Sequence, residues 1–237
     1  MKNIIQFPFE PIKELKHGAE IVDYFLQHEI TSHPFFGDKK RFNIAYVNLI
    51  LENGRELDIT GFLARTISMT NNFEVRCALV PQLYDELGGG KPEKLHILHI
   101  AKLLNSISPY VKISSEADKI KIKDAYGELT QVYKDLFFSD KFNTCIGVAI
   151  ANEIVVQPIF DYIKQNVQLN IKLFDKEDII WVTAHDELEE DHVEDTKHLS
   201  SIISQSPKDL SEVFDSGFVL LSSFWKFFDV LNTIEIE

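Results

Sequence analysis

The sequence contains little cysteine and little positive charge. Its 237 residues include 2 cysteines, Cys77 and Cys145, which are too far apart in sequence for a CxxC metal or redox motif. This spacing argues against a disulfide-stabilised secreted domain and against a cysteine-rich structural zinc site. The formal net charge is −13, which disfavours nucleic-acid phosphates and anionic membrane surfaces as partners.

Long hydrophobic runs, repeats and low-complexity segments are also missing. No apolar run reaches the roughly 20 residues of a membrane-spanning helix. The apolar patch near the start is interrupted by Pro8 and is too short for a secretory signal. We therefore expect a cytoplasmic protein without a membrane partner. No fixed-period repeat or linker divides the chain, so we expect a single domain over residues 1–237.

Apolar residues at helical spacing are abundant. The apolar fraction is 45% and includes 18 Phe, which is enough for a large packed core. No segment shows the strict apolar and polar alternation, bounded by turns on both sides, that is typical of a β-strand. The pattern predicts an all-α domain of roughly seven or eight helices.

Glycine and proline mark where several of these helices begin and end. We expect one helix over residues 42–54, stopped by Asn53 and Gly54. A single long helix is expected over residues 56–87, with a kink at Pro81 and a stop at residues 88–90, which are all glycine. Pro92 then opens the next helix.

The segment AHDELEEDHVEDTKH, Ala184 to His198, concentrates imidazoles and carboxylates. His185, Glu189 and His192 are separated by four and then three residues, so on a helix they share one face. Two imidazole nitrogens and one carboxylate form a donor set that iron, manganese or zinc prefers. A solvated surface helix, on which the histidines merely lie among acids, remains the alternative interpretation.

An isolated carboxylate in an apolar helix is the second unusual feature. Glu153 lies in GVAIANEIVVQPIF, where its neighbours are mostly aliphatic. Carboxylates are seldom buried unless they are paired with a cation or bound to a metal. Glu153 is therefore a candidate metal ligand, and an ion pair with Arg65 or Arg76 is the alternative.

The third feature is the segment YDELGGGKPEKLHILH. Glu86 ends one predicted helix and His96 lies in the next one, after the glycine turn. Glu93 also precedes His96 by three residues, a spacing repeated by Glu189 and His192. Glu86 and Glu93 are thus alternative ligands, although an acid at position 93 would also suit the first turn of a helix.

The apolar residues around these candidates are expected to lie in the core. Ile97, Leu98 and Ile100 are predicted to pack in the helix bundle beside His96 and its neighbour His99. Together, three histidines and three carboxylates can hold two divalent metal ions and leave coordination positions free for O2 and a substrate.

The chain resembles the haem-oxygenase-like di-iron oxidase and oxygenase family, a family of iron-containing redox enzymes that includes a chlamydial death-domain-associated protein. The resemblance runs through ITSHPFF, LILENGRELDITGFL, YDELGGGKPEKLH, the isolated Glu153, the His-x3-Glu-x2-His helix and the final SGFVLLSSFWKFFDVL. It implies a haem-oxygenase-like seven-helix bundle, the fold shared with thiaminases and pyrroloquinoline-quinone synthase. The implied metal ligands are Glu86 (with Glu93 as its alternative), His96, Glu153, His185, Glu189 and His192.

The resemblance also implies a type of reaction. It indicates an oxidoreductase with two Fe(II)/Fe(III) ions and O2 as co-substrate, which oxidises or cleaves a small organic molecule in a biosynthetic pathway. Amines, amino acids and fatty acids are the substrate classes expected from the family. An electron donor is needed, and a mixed manganese–iron centre and a homodimer are both compatible with the pattern.

Other functions on the same fold remain open from the sequence. A metal-independent enzyme of the thiaminase and pyrroloquinoline-quinone synthase branch would use an activated cysteine, for which Cys145 is the candidate. A haem oxygenase would need an axial histidine such as His17, His28 or His33. A non-catalytic binding protein is the alternative from a different functional class, and a ferritin-like bundle is a structural alternative.

Overall fold

Ten α-helices, five short 3-10 helices and one isolated β-bridge form the regular structure of the described residues. This computed structural model describes residues 7–55, 57–113 and 115–236, without the side chains of residues 53–55 and 184–193. The bridge joins Ile113 to Ile236, and the described ranges contain no β-strand. The all-α prediction is confirmed, while the single-domain organisation stays a prediction.

The helices are longest toward the C-terminus of the chain. Their bounds are α1 Ala19–Gln27, α2 Pro34–Gly37, α3 Ile44–Arg55, α4 Ile59–Met69, α5 Phe73–Glu86, α6 His96–Ile107, α7 Glu116–Phe137, α8 Phe142–Leu169, α9 Ile180–Ile202 and α10 Pro207–Thr233. A short 3-10 turn over Pro92–Lys94 precedes α6. The described helices outnumber the predicted seven or eight.

The helix predicted over residues 56–87 is in fact two helices, α4 and α5. Thr70 is extended, and Asn72 caps α5 by accepting hydrogen bonds from the backbone N–H groups of Glu74 at 2.9 Å and Val75 at 3.4 Å. An asparagine at this position satisfies donors that have no partner within the helix. The prediction of one continuous helix was therefore wrong.

The two predicted glycine stops behave differently. Helix α3 continues through Gly54 to Arg55, so the stop expected at Gly54 was wrong. A glycine inside a helix costs only about 1 kcal/mol relative to alanine. By contrast, Gly88, Gly89 and Gly90 have φ values of 64°, 65° and 77°, and they end α5 as expected. Three consecutive left-handed residues are accessible only to glycine without strain.

Helix α8 is the central element of the bundle. It packs against α1, α3, α4, α7, α9 and α10, and most of its side chains are buried. By length and composition α8 is apolar enough to cross a membrane, but most of that apolar window is buried within the protein. Helix α9 packs against α5, α6 and α8, and these four helices carry the predicted metal ligands.

Candidate metal centre

A cavity of about 560 Å³ lies beside the central helix α8. Most of its wall is apolar, with contributions from Ile50, Leu51, Ile100, Val156, Phe160 and Phe224. Polar side chains also line it, among them Glu86 with His96, and Tyr133 with Asn152. A predominantly apolar cavity of this size with a few placed polar groups is typical of a small-molecule site.

Glu86 and His96 form the first polar pair. His96 Nδ1 lies 3.4 Å from Glu86 Oε2, and the histidine is only 7% exposed. Glu86 is the last residue of α5 and His96 is the first residue of α6. The left-handed turn at Gly88 reverses the chain between them, which brings the carboxylate and the imidazole to the same wall of the cavity.

Tyr133 and Asn152 form the second polar pair, next to Glu153. The Tyr133 hydroxyl donates a hydrogen bond of 3.0 Å to Asn152 Oδ1. Burial, and secondarily the negative charge of Glu153, raise the pKa of Tyr133 far above its usual value. The tyrosine therefore stays protonated. Glu153 directly follows Asn152 on α8 and is partly buried.

The two arginines considered as partners of Glu153 bind other groups. Arg65 donates to the carboxylate of Asp140 at 3.0 Å and to backbone carbonyls at the end of α7. Arg76 donates through Nε to the carbonyl of Thr70 at 2.7 Å. These contacts give the two guanidinium groups structural roles at helix ends.

The remaining predicted ligands, His185, Glu189 and His192, lie on α9 with side chains outside the described part of the structure. The helix itself packs against α5, α6 and α8, which carry Glu86, His96 and Glu153. Trp181, four residues before His185, lines the cavity. Within the side chains that are described, no group of three or more His, Cys, Asp or Glu residues could hold a metal ion.

Glu93, the alternative to Glu86, is exposed. It lies on the 3-10 turn Pro92–Lys94, before α6 begins, whereas Glu86 lines the cavity and contacts His96. The geometry thus favours Glu86 over Glu93 as a ligand. Tyr84, two residues before Glu86 on α5, is 57% exposed.

The buried face of α6 is the histidine face. Ile97 and Leu98 are 38% and 46% exposed, so the prediction that both pack in the core was wrong, and Ile100 is only partly buried against the core. His96 and His99 are buried instead. The helix is rotated in this way because it starts at His96 and packs against α3 and α9.

Two buried polar groups near the pair were not assigned to the site from the sequence. Gln82, one turn before Glu86 on α5, is 3% exposed, and His99 on α6 is 6% exposed. Gln82 Oε1 and His99 Nδ1 have no hydrogen-bond partner among the described residues. Burial, followed by nearby positive charges such as Lys102, lowers the pKa of His99, which keeps the ring neutral at pH 7. Unpaired buried donors and acceptors of this kind fit a site that holds metal.

The thiol candidate for a metal-independent mechanism lies in the core. Cys145 is 1% exposed, and its Sγ lies 3.9 Å from Met69 Sδ. Burial raises the pKa of Cys145, so the sulfur is a thiol rather than a nucleophilic thiolate. Cys77 is exposed on α5. Neither environment suits an activated catalytic cysteine.

Of the three histidines offered for haem ligation, His17 is exposed, and His28 and His33 make side-chain contacts. His33 Nδ1 accepts from the backbone N–H of Phe35 at 3.0 Å, and its Nε2 donates to Asp229 at 3.0 Å. His28 stacks on Tyr24, and its Nδ1 lies 2.7 Å from the Tyr24 carbonyl. Because both ring nitrogens of His33 are used, this buried ring has no nitrogen for an axial bond.

Comparison with known proteins agrees with this fold. The profile of a family described as iron-containing redox enzymes matches residues 55–216, a range that includes every predicted ligand. No curated protein matches the chain. The crystal structure of a CADD-like protein of unknown function from Nostoc punctiforme has 15% sequence identity and a TM-score of 0.66, with 92% of this chain and 99% of that chain covered. That likeness shows a shared fold. Because the matched profile spans more than half of its residues, the chain belongs to the haem-oxygenase-like family of iron-containing redox enzymes.

Proposed function

We propose that this chain is a non-haem di-iron enzyme that uses O2 to oxidise or cleave a small organic molecule. The observation that carries the proposal is the contact of 3.4 Å between Glu86 and His96 at the wall of an apolar cavity of about 560 Å³. Family membership supports iron as the metal. A cytoplasmic setting and an external electron donor belong to the same proposal.

Six residues would hold the two iron ions: Glu86, His96, Glu153, His185, Glu189 and His192. Imidazole nitrogens and carboxylate oxygens suit ferrous and ferric iron, and manganese could replace one ion without a change of ligands. Three carboxylates also offset most of the charge of two divalent ions. Iron bound there would supply the one-electron chemistry with O2 that amino-acid side chains lack.

The residues of the chain have roles of their own in this reaction. The apolar wall, including Val156 and Phe160, excludes water and surrounds the body of the substrate. Tyr133 keeps its proton, which it donates to Asn152 Oδ1, and so adds no negative charge to the cavity wall. Amines, amino acids and fatty acids are the candidate substrates, and each is small enough for a cavity of this volume.

The proposal is tested by anaerobic titration of the full-length protein with Fe(II), followed by admission of O2. We expect two iron ions per chain and O2 uptake that rises when a suitable substrate is present. Glu86→Ala should lose one iron, because removal of a metal ligand typically weakens metal binding by 10-fold or more. Glu93→Ala is the matched control, since the exposed Glu93 should leave the stoichiometry unchanged.

Glu153→Ala and His192→Ala test the ligands on α8 and α9 in the same titration. Each variant should bind fewer than two iron ions. Two results would refute the proposed centre. One is a wild-type protein that binds no iron, and the other is iron binding by Glu86→Ala and Glu153→Ala that equals that of wild type. Cys145→Ala should retain iron binding and O2 uptake; loss of activity with intact iron binding would instead support the thiol-dependent alternative.

A further inference from the structure

The side-chain amide of Asn152 has one end bound and one end available to the cavity. Its Oδ1 accepts the hydrogen bond from the Tyr133 hydroxyl at 3.0 Å, and both residues line the cavity. Among the residues that the structure describes, no group accepts a hydrogen bond from Asn152 Nδ2. A primary amide carries two N–H donors on this nitrogen, so the wall of the cavity presents donors that have no acceptor among the described side chains.

Tyr133 fixes the orientation of this amide. The tyrosine is 2% exposed, and its ring packs edge-on against Phe137 and Phe224, with centroid separations of 5.1 Å and 5.9 Å. Because the hydroxyl stays protonated, it can donate to the carbonyl oxygen of Asn152. A rotation of the amide by 180° would let the hydroxyl accept from Nδ2, but it would leave the buried hydroxyl proton without the Oδ1 acceptor that it has in this structure. The Nδ2 group is therefore the end that remains for a ligand.

The rest of the cavity indicates what such a ligand looks like. Aliphatic and aromatic side chains such as Ile159, Phe160 and Trp181 form most of the wall, and they favour an apolar body. An N–H donor in such surroundings requires an oxygen or nitrogen acceptor. An ammonium group has only donors and would not satisfy it. Asn152 also directly precedes Glu153, one of the proposed iron ligands, on α8.

We propose that this cavity binds a molecule with an apolar body and a carbonyl-type oxygen, and that Asn152 Nδ2 donates a hydrogen bond to that oxygen. Tyr133 is the positioning residue that holds the amide in this orientation. The inference names the substrate class of the site and rests on the proposed function for its catalytic meaning. Among the expected substrates it favours acids, amides and ketones over simple amines.

The experiment uses iron-free, full-length protein and two neutral probes with a similar apolar body, 4-phenylbutan-2-one and butylbenzene. Neutral probes avoid repulsion by Glu86 and Glu153 in the absence of metal. The dissociation constants are measured by titration calorimetry. Asn152→Leu should weaken binding of the ketone roughly 10-fold, the usual order for one hydrogen bond in a buried site. Binding of butylbenzene should stay the same or become tighter.

Three further variants separate positioning from packing. Asn152→Asp should also lose the preference for the ketone, because a carboxylate accepts and does not donate. Tyr133→Phe should reduce the ketone preference in part, because the amide can then rotate. Val156→Ala, on the same wall, should weaken both probes to a similar extent. In NMR spectra of wild type, the side-chain N–H resonances of Asn152 should shift when the ketone binds and should stay unchanged when butylbenzene binds.

The inference is overturned by either of two results. One is a ratio of ketone to butylbenzene affinity that is the same in wild type and in Asn152→Leu. The other is the absence of binding of both probes to wild type at millimolar concentration. Since no iron is present, these outcomes are independent of the iron titration, and either proposal can fail while the other stands.

Discussion

Gly88→Ala should destabilise the protein more than the same change at Gly90, although both residues have positive φ. The φ values are 64° for Gly88 and 77° for Gly90. An alanine in this left-handed region costs roughly 1–2 kcal/mol at either position. At Gly88 an added Cβ would also lie 2.4 Å from the carbonyl carbon and oxygen of Lys94, whereas at Gly90 the nearest atom, on Tyr84, is 3.9 Å away.

The additional contact at Gly88 involves backbone atoms, so it cannot be relieved by rotation of a side chain. Forced overpacking of this kind costs about 1–3 kcal/mol. The loss of unfolding free energy should therefore be about 2–5 kcal/mol for Gly88→Ala and about 1–2 kcal/mol for Gly90→Ala. The difference between the two variants isolates the close approach to Lys94 from the strain common to both.

Urea denaturation of the iron-free protein, followed by far-UV circular dichroism, measures both values. Because Gly88 lies between Glu86 and His96, Gly88→Ala should also weaken the first iron bound, while Gly90→Ala should bind iron as wild type does. Equal destabilisation by the two substitutions would refute the argument from the Lys94 contact. A stable Gly88→Ala protein with unchanged iron affinity would show that the turn does not set the position of His96.

Further expectations concern groups outside the cavity. Burial lowers the pKa of His33 despite the opposing effect of Asp229. The contribution of the neutral ring to the free energy of unfolding is therefore complete above about pH 6.5, the pKa in the unfolded chain. It is lost as the pH falls through the folded-state pKa. His33→Asn should therefore show a smaller loss of unfolding free energy between pH 7 and pH 5 than wild type, and an identical slope would contradict this. Asn72→Ala should cost about 1 kcal/mol in urea denaturation through loss of the α5 cap, and no change would argue against that role. In native protein a maleimide should modify exposed Cys77 and spare Cys145 until the chain unfolds; rapid modification of both thiols would contradict the burial of Cys145.

Features encoded by a few neighbouring residues were predictable from the sequence. The stop at Gly88 follows from the conformational freedom of glycine, and the all-α class follows from apolar spacing along whole segments. The break between α4 and α5 was missed because apolar residues at helical spacing continue across it, from Ile67 to Val75. The cap at Asn72 was visible in the sequence, but a single capping residue is a weak signal against a long periodic one.

Features that depend on packing between helices were not predictable to the same degree. In HILHI either the aliphatic side or the histidine side of the helix could face the core. The packing of α6 against α3 and α9 buries His96 and His99. The pair of Tyr133 and Asn152 joins α7 to α8, and no sequence pattern connects two residues 19 positions apart on different helices. The family could be recognised from motifs, whereas the residues of the cavity wall come from helices distant in sequence and could not be assigned without the three-dimensional structure.

The position of α8 has a consequence for how this protein could acquire new specificity. That helix contributes the central core, the amide at position 152 and the carboxylate at position 153, so substitutions there alter folding and chemistry together. The segment from Leu57 to Thr60, at the start of α4, also lines the cavity, and its side chains are exposed at Asp58 and partly buried at the other three positions. Directed evolution toward other compounds should therefore begin at this rim, where side chains are less buried than on α8, and should keep Asp58, which caps α4.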